Sequence, residues 1–327
     1  MAERTSFVTG GSGFIGGRLI RRLVCDGWSV RALARSDRSA AAVEAAGATA
    51  ARGDLDDVAS MRAGAEGCDV FFHAAAYVLE WGSYADFERG NVDGTRNALE
   101  AARAAGVRRF VHVGTEAAVL AGEPLVDVDE TAPLRPDSKA PYCSTKAKAE
   151  ALVRAADGIE TVVVRPRLVW GPGDTTILPG IAEAVRSKKF SWIGGGTHRT
   201  STTHVDNTVE GLVLGAERGQ PGEAYFVTDG EPVVFGEFVT DLLATQGVEA
   251  PDRNAPRAVV GALAAAGEAA WRLLPLRGAP PVTRIAYWLS ALDTTIDISK
   301  ARRELGYEPV ITREEGLAQL RSAAATD

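Results

Sequence analysis

The chain has 327 residues, which is enough for one large domain or two modest ones with a buried core. Its net charge is −7, so a basic face for nucleic acid is not expected, although a local basic pocket for a phosphate is compatible with that balance. The three cysteines, Cys25, Cys68 and Cys143, are scattered and indicate reduced thiols rather than a disulfide framework or a zinc site.

Nothing in the sequence predicts a membrane span or an export signal. Residues 1–9 lack the charged and apolar regions of a signal peptide. No apolar run approaches the roughly 20 residues that cross a bilayer, and the alanine-rich stretch at 258–270 is shorter and contains Glu268. We therefore expect a cytoplasmic protein with no nucleic-acid partner and no bound metal.

The first half alternates short β-branched runs with helical stretches. Strands are predicted at 5–9, 29–34, 48–51, 70–72, 110–113 and 161–164, and the helices between them include 94–105 and 144–156. This alternation predicts the α/β class, a Rossmann doubly wound parallel sheet with helices on both faces.

The pattern of predicted strands and helices changes after Pro166. Turns are predicted at 171–173 and 194–196, helices at 177–187 and 235–246, a strand at 224–227 and a largely helical tail from 255 onward. We assign residues 1–170, with 203–228 returning to them, to the dinucleotide-binding domain. Residues 171–202 and 229–327 are assigned to a smaller, mostly helical C-terminal substrate lobe.

A glycine-rich turn follows the first strand. Gly10, Gly13 and Gly16 form a G-x-x-G-x-x-G pattern before an amphipathic helix, and Ser12, Phe14 and Ile15 lie within it. Glycines in this position allow a tight turn, close approach of backbone amides to a pyrophosphate and close packing of helix on strand. The motif therefore predicts a dinucleotide site at a helix N-terminus.

The end of the second strand bears on the choice of cofactor. An acidic residue there would bind the ribose 2′-hydroxyl of NAD, whereas this chain has Arg35 and Ser36, which suit a 2′-phosphate. We therefore favour NADP over NAD. Asp54 and Leu55, after the third strand, are assigned to the adenine side, with helix capping as a second role for Asp54.

The fourth and fifth strands end in small or hydroxyl-bearing residues. Ala74, Ala75 and Ala76 follow the fourth strand and would let the backbone run against the cofactor. Val113 ends the fifth strand, and Thr115 lies just beyond it, at the edge where open parallel sheets bind ligands. The Thr115 hydroxyl is a candidate for binding the substrate oxygen.

Tyr142 and Lys146 are the candidate catalytic pair. Residues four apart share one face of a helix, so both side chains would point to one site. Hydride transfer to a carbonyl needs a proton donor, and an adjacent ammonium is expected to lower the pKa of the tyrosine. Asn91 either supports a water near Lys146 or caps the helix that begins there.

These motifs together resemble the extended short-chain dehydrogenase/reductase family over nearly the whole chain. The resemblance rests on residues 9–16, 91–95, 142–146, 165–173 and 204–207. It implies a Rossmann domain, a variable C-terminal lobe and a Ser/Thr-Tyr-Lys catalytic set, here Thr115, Tyr142 and Lys146. It also implies that Pro166, Leu168 and Val169 lie beside the nicotinamide.

Within that family, residues 203–211 and 225–233 resemble the 3β-hydroxysteroid dehydrogenase branch. This implies an alcohol dehydrogenase or ketoreductase that interconverts a secondary alcohol and a ketone on a bulky apolar substrate, steroid-like or aryl. Trp81, Trp170, Trp192 and Trp288 are candidates for the pocket, with core packing as the alternative for each.

Three further expectations remain open at the level of sequence. A nucleotide-sugar epimerase or dehydratase shares the Tyr-Lys pair, although a dehydratase needs an acidic pair after Thr115 and Glu116 is a single carboxylate. A regulator that binds NADP without chemistry is a more distant alternative. A homodimer is expected, with the helices near Asn91 and Tyr142 pairing through Ala98, Leu99, Ala102, Ala149 and Leu152 unless these face the sheet.

Overall fold

The computed structural model describes residues 4–274 and 276–324. The strands are β1 Thr5–Thr9, β2 Ser29–Ala34, β3 Thr49–Arg52, β4 Val70–His73, β5 Arg109–Val113, β6 Leu125–Val128, β7 Glu160–Pro166, β8 Val169–Trp170, β9 Trp192–Ile193, β10 Arg199–Thr200, β11 Thr203–His204, β12 Glu223–Val227, β13 Val233–Val234, β14 Asn254–Ala255 and β15 Thr294–Ile296. The helices are α1 Phe14–Cys25, α2 Asp37–Ala45, α3 Val58–Ala65, α4 Tyr84–Phe87, α5 Gly94–Ala104, α6 Pro141–Arg154, α7 Ile177–Arg186, α8 Val205–Arg218, α9 Phe235–Ala244, α10 Arg257–Leu273, α11 Arg284–Ala291, α12 Ser299–Leu305 and α13 Arg313–Ala324.

The main sheet has seven strands in the order β12-β7-β5-β4-β1-β2-β3. Every pairing in it is parallel. The order reverses between β1 and β4, which opens a crevice at the carboxyl ends of those two strands. The predicted Rossmann sheet is confirmed, and all seven strands expected from the sequence belong to it.

Alternating residues of the central strands bury their side chains on opposite faces. Phe7, Phe71 and Phe110 pack on one face beneath α3 and α5. Their chain neighbours Val8 and Phe72 pack on the other face. Because both faces are covered by helices, these strands read as continuous apolar runs rather than as alternating ones.

The second half adds short strands that the sequence analysis did not predict. A four-stranded sheet in the order β13-β10-β15-β6 joins β15, near the end of the chain, to β6 in the first half. Strands of two to four residues carry too little periodicity to be read from sequence. The segment 203–228 contributes β12 to the main sheet and α8 to the face of β5 and β7.

The predicted helical tail is confirmed over the described residues by α10 to α13, while residues 275 and 325–327 lie outside them. Ala98, Leu99 and Ala102 are fully buried in the core beneath the sheet. They therefore face the sheet, which was the alternative to a dimer contact. No helix in the described part of the chain is long and apolar enough to cross a bilayer.

Candidate active site

The glycine turn brings the ends of β1 and β4 together. Gly10 has φ +71°, and a Cβ on it would lie 2.6 Å from the backbone nitrogen of Ala75. A Cβ on Gly16 would lie 2.2 Å from the carbonyl oxygen of Gly10. Only glycine fits at both positions, because the strand-helix turn is packed directly against the 74–76 segment.

The N-terminus of α1 opens into this crevice. Gly13 is its N-cap and provides no side-chain hydrogen bond to the first turn, which begins at Phe14. Ser12 and Gly13 are exposed, whereas Ile15 packs against the core. Unpaired backbone N–H groups at the positive end of a helix fit a pyrophosphate, so these residues suit a dinucleotide.

The part of the crevice at the carboxyl ends of β2 and β3 is open, and its polar side chains make few hydrogen bonds to the protein. Arg35 is exposed, and no group among the described residues hydrogen bonds its guanidinium. Ser36 is the N-cap of α2, and its hydroxyl accepts from the backbone nitrogen of Ser39 at 3.2 Å. The Ser36 hydroxyl is therefore already engaged, and Arg35 is the freer of the two groups proposed for a 2′-phosphate.

Asp54 follows β3 as expected, but it does not cap the next helix. Its carboxylate accepts from the backbone nitrogen of Asp56 at 3.3 Å. The cap of α3 is Asp57, which accepts from the backbone nitrogen of Ser60 at 3.1 Å. The expected capping role of Asp54 is wrong, and its carboxylate is half-buried beside Leu55 at the crevice.

The carboxyl end of β5 and the first turns of α6 bring the catalytic candidates together. Lys146 is buried, and its Nζ donates to the carbonyl oxygen of Val113 at 2.9 Å. Tyr142 is half-buried one turn earlier on the same helix, and the Thr115 hydroxyl lies within hydrogen-bonding reach of its phenol. The three residues thus meet at one edge of the sheet.

The pKa of Tyr142 is not lowered in the structure, contrary to the expectation from the sequence. Burial raises the pKa of Tyr142 well above its usual 10, and the nearby Glu116 carboxylate raises it further. The Thr115 hydroxyl opposes the shift. The Lys146 ammonium does not offset the rise, because its Nζ is directed to the β5 backbone. Tyr142 is therefore a phenol at neutral pH.

Glu116 belongs to a buried network that the sequence analysis did not predict. One carboxylate oxygen accepts from the Thr115 hydroxyl at 2.8 Å, and the other is paired with Arg167. Arg167 also donates to the Thr200 hydroxyl at 2.9 Å. The Arg167 and Glu116 side chains are 0% and 4% exposed, so bulk solvent does not screen the pair. The Thr115 hydroxyl therefore lies between two acceptors, the Glu116 carboxylate and the Tyr142 phenol oxygen.

Two buried histidines pack beside Lys146. The sequence did not predict this arrangement. Lys146 Nζ lies 3.3 Å from Nε2 of His112, and the His112 ring stacks on His73 with centroids 5.4 Å apart. Burial lowers the pKa of Lys146 to about 8, with Glu150 opposing. Burial and then Lys146 lower the pKa of His73 to about 3. Both rings are thus neutral.

Asn91 is fully used as a structural bridge. Its side-chain oxygen accepts from the backbone nitrogen of Tyr77 at 2.8 Å, and its amide donates to the Tyr77 carbonyl and the Thr145 hydroxyl, each at 3.1 Å. It does not cap α5, whose N-cap Asp93 makes no side-chain hydrogen bond. Asn91 therefore connects the loop after β4 to Thr145 of α6, the residue that precedes Lys146.

The segment after β7 lies at the same edge of the sheet. Pro166 ends β7, and Val169 begins β8 after Leu168. Leu168 has φ +42°, a left-handed conformation that is unfavourable for a residue with a branched side chain. Such strain is typical of functional sites, where surrounding structure holds the backbone in place.

The four candidate tryptophans have different surroundings. Trp170 and Trp288 are buried in the core, so their expected role in a pocket is wrong. Trp192 packs edge-on against Phe190. Only Trp81 of the four lines a cavity of about 390 Å³, whose wall also includes Pro141, next to Tyr142.

The other walls of this cavity mix aromatic and cationic side chains. Tyr84, Lys139 and Arg272 line it, and the Arg272 guanidinium lies over the Trp81 ring at 5.8 Å. The cavity thus joins the N-terminal end of α6 to the C-terminal end of α10. Among the described residues no cluster of side chains could hold a metal ion, and all three cysteines are free.

Comparison with known proteins identifies relatives across the whole chain. Residues 7–257 match the model of the 3-beta hydroxysteroid dehydrogenase/isomerase family. A 4-hydroxy-2-methyl-3-oxo-4-farnesyl-3,4-dihydroquinoline-1-oxide ketoreductase of Stigmatella aurantiaca is 48% identical over 97% of this chain and 96% of that protein. A 2-alkyl-3-oxoalkanoate reductase of Stenotrophomonas maltophilia strain K279a is 38% identical over 97% and 98%. The crystal structure of gox2253 has a TM-score of 0.81 and 27% identity over 99% and 98% of the two chains.

Proposed function

The chain belongs to the 3-beta hydroxysteroid dehydrogenase/isomerase family, and from this premise we propose that it reduces a bulky apolar ketone with NADPH. It is an oxidoreductase of the extended short-chain type, in a family that uses nicotinamide cofactors. The proposal is carried by the meeting of Tyr142, Thr115 and Lys146 at the carboxyl edge of the sheet, where the Tyr142 phenol, with its pKa raised by burial, keeps its proton at neutral pH. A protonated donor suits reduction of a ketone rather than oxidation of an alcohol.

The crevice between β1 and β4 is the proposed cofactor site. The pyrophosphate would rest on the backbone of Ser12 to Phe14, where Gly10 and Gly13 leave room for it. Ala74 to Ala76 and Val113 would line the side of the crevice. Pro166, Leu168 and Val169 would border the nicotinamide, and the reduced ring supplies the hydride to the carbonyl carbon.

Three side chains would carry the proton chemistry. Tyr142 donates its phenolic proton to the carbonyl oxygen as the hydride arrives at the carbon, so the product is a neutral alcohol and the tyrosine is left as a phenolate. Lys146 remains an ammonium below about pH 8, and it would stabilise that phenolate by turning its Nζ from the Val113 carbonyl toward the phenol. Thr115 would orient the carbonyl oxygen by turning its hydroxyl proton from Glu116 to that oxygen.

The preference for NADP over NAD rests on Arg35. It is exposed at the carboxyl end of β2, beside the N-terminus of α2, and it has a guanidinium free to bind a phosphate. Ser36 would contribute only by giving up its cap on Ser39. Asp54 and Leu55 are proposed to border the adenine.

The substrate class follows from what the two relatives have in common. Each is named for a 3-oxo compound that bears an alkyl or prenyl substituent near the ketone. We propose a ketone of that kind for this chain, with the cavity beside Pro141 as part of its site. Trp81 and Tyr84 would contact the apolar portion, and Lys139 and Arg272 would face any electron-rich group.

The dehydratase alternative is disfavoured by the state of Glu116. A dehydratase needs a carboxylate that is free to move a proton, whereas both oxygens of Glu116 are engaged by Thr115 and Arg167. A homodimer and a cytoplasmic location remain predictions, as does the division into two domains. Asn91 is proposed to position α6 rather than to contact the substrate.

The test is NADPH consumption with a panel of ketones, measured for the wild type and for Tyr142→Phe. The panel contains a 2-alkyl-3-oxoalkanoate, a prenylated quinolone ketone and a steroid ketone. Removal of the proton donor should lower kcat by about 10²–10⁴-fold. The dissociation constant for NADPH, measured by fluorescence, should change by less than about threefold, since the phenol is not a phosphate ligand.

Three outcomes would overturn the proposal. Turnover that survives in Tyr142→Phe would remove the tyrosine from the chemistry. Absence of turnover with every ketone, combined with conversion of a nucleotide sugar without net use of NADPH, would make the chain an epimerase. Binding of NADPH without conversion of any compound would favour a regulator.

A further inference from the structure

Between its two terminal arginines, Arg257 and Arg272, the helix α10 exposes no polar side chain. At positions 258–271 every exposed residue is alanine, valine or leucine, and Val259 and Leu263 are 52% and 62% exposed. The single charged residue in that stretch, Glu268, is turned inward and pairs with Arg284 at 3.2 Å. A helix on a protein surface normally presents charged residues to water. In this stretch α10 has the reverse arrangement, with apolar side chains exposed and its charged side chain buried.

The apolar surface continues past the end of the helix. Leu273, Leu274 and Leu276 are 83%, 55% and 43% exposed. We call this surface the α10 ridge, and its residues are Ala258, Val259, Ala262, Leu263, Ala266, Ala269, Leu273, Leu274 and Leu276. A contiguous exposed apolar surface of this kind marks an interaction site.

Cations border the ridge at both ends. Between Arg253 and Arg284 the chain has five arginines and one glutamate, although the whole chain has a net charge of −7. Arg253, Arg272 and Arg277 are exposed, whereas the glutamate is buried. Leucines that enter the acyl boundary beside cations that meet anionic headgroups are the signature of a helix lying in a membrane interface.

From these observations we propose that the α10 ridge binds the surface of a bilayer that contains anionic lipid. The helix lies in the plane of the interface and does not cross it, in keeping with the absence of a membrane-crossing helix in the described part of the chain. A two-fold contact with a second copy would set this cationic segment against itself, whereas anionic headgroups complement its charge, so the charge favours lipid.

The position of the ridge also connects lipid binding to the active site. Arg272 belongs both to the cationic border and to the wall of the 390 Å³ cavity next to Pro141. A ketone dissolved in the bilayer would therefore meet the cavity at the C-terminal end of α10. This connection rests on the proposed function, whereas the lipid binding itself does not.

The test is sedimentation of the full chain with vesicles of phosphatidylcholine, alone or mixed with phosphatidylglycerol. The triple variant Val259→Gln/Leu263→Gln/Leu273→Gln should lose at least about tenfold in partitioning, because three apolar side chains no longer enter the lipid. Arg277→Gln should lose roughly fivefold on the anionic vesicles only. The matched control, Val126→Gln/Val310→Gln, changes two equally exposed residues away from the ridge and should sediment as the wild type does.

Two further measurements are light scattering, which gives the oligomeric state, and an assay with a water-soluble ketone, which gives turnover without lipid. The triple variant should keep the oligomeric state of the wild type and its thermal midpoint. A wild type that does not sediment with either vesicle overturns the proposal. A dimer that the triple variant converts to monomer overturns it in favour of contact between copies. Failure of the proposed ketone reduction is distinguishable, since sedimentation requires no turnover.

Discussion

The two ends of the cofactor crevice are built differently. At the catalytic end, Lys146, Glu116 and Arg167 are buried and bonded to neighbouring protein groups. At the adenosine end, Arg35 is exposed and unbonded among the described residues. The buried groups at the catalytic end are fixed in position by their hydrogen bonds. Substitution of one of them should destabilise the fold, because it would leave a buried charge without its partner. We expect the open end to tolerate substitution, so that cofactor preference could be changed there without loss of the fold.

The largest effect should come from breaking the buried pair at the catalytic end. Glu116→Ala leaves the buried Arg167 with its hydrogen bond to Thr200 but without a counter-charge, and should lower the free energy of unfolding by about 3–5 kcal/mol. Urea unfolding measures this. The double variant Glu116→Ala/Arg167→Met should recover most of the loss, because no unpaired charge remains.

The control is an exposed pair. Glu217→Ala removes the partner of Arg4 on the surface and should change the free energy of unfolding by less than about 1 kcal/mol. An equal loss in Glu116→Ala and Glu217→Ala would mean that the contrast between buried and exposed groups does not govern stability here.

Acid should destabilise the protein through its buried neutral histidines. Burial lowers the pKa of His73 to about 3 and of His198 to about 4, and it also lowers that of His112. A group whose pKa is lowered in the folded state contributes stability that is complete above the unfolded pKa of about 6.5 and is lost as the pH falls below it. Each ring should remove on the order of 2 kcal/mol by pH 5.

Urea midpoints at pH 7.5 and pH 5 test this prediction. His198→Phe should lessen the difference between the two midpoints, because the variant has one histidine fewer to protonate. A midpoint that does not change between the two pH values would show that the rings titrate normally in the folded protein.

The open end should respond with a change of cofactor preference and no change of stability. Arg35→Asp should weaken NADPH binding by about 10–100-fold, because a charge-assisted hydrogen bond to the 2′-phosphate is replaced by repulsion. NADH binding should change much less. Fluorescence titration with both cofactors measures the ratio, and Arg103→Asp, an exposed arginine on α5, is the control. Equal losses for the two cofactors would remove Arg35 from the phosphate site.

The smallest predicted effect is a shift in the pH profile. Lys146 is an ammonium below its pKa of about 8, so kcat/KM should fall above that pH. His112→Phe removes an acceptor of the ammonium, which destabilises the charged form and should move this fall about one pH unit lower. His112→Gln, which keeps an acceptor, should restore the profile. An unchanged profile in both variants would leave His112 as a packing residue only.

Much of the active site could be predicted from local patterns. The glycine turn, the spacing of Tyr142 and Lys146 and the position of Thr115 after a strand each follow from a few consecutive residues. Arg167, His112 and Thr200 could not be found in this way, because they reach the site from distant parts of the chain: the segment after β7, strand β5 and strand β10. The one available signal in the sequence was the presence of two arginines, Arg165 and Arg167, at the end of a β-branched run. A charged residue in such a run is expected to be buried, and a buried arginine is expected to pair with a carboxylate.

The sequence by itself determined the parallel sheet, its crevice and the residues at the end of each strand, because period and turn chemistry are local properties. Only the tertiary structure decided the ionisation of Tyr142, since its pKa depends on burial and on Glu116. It also decided which tryptophans are core and which face of α10 is exposed. Those outcomes depend on which distant segments pack together, and no local pattern records that.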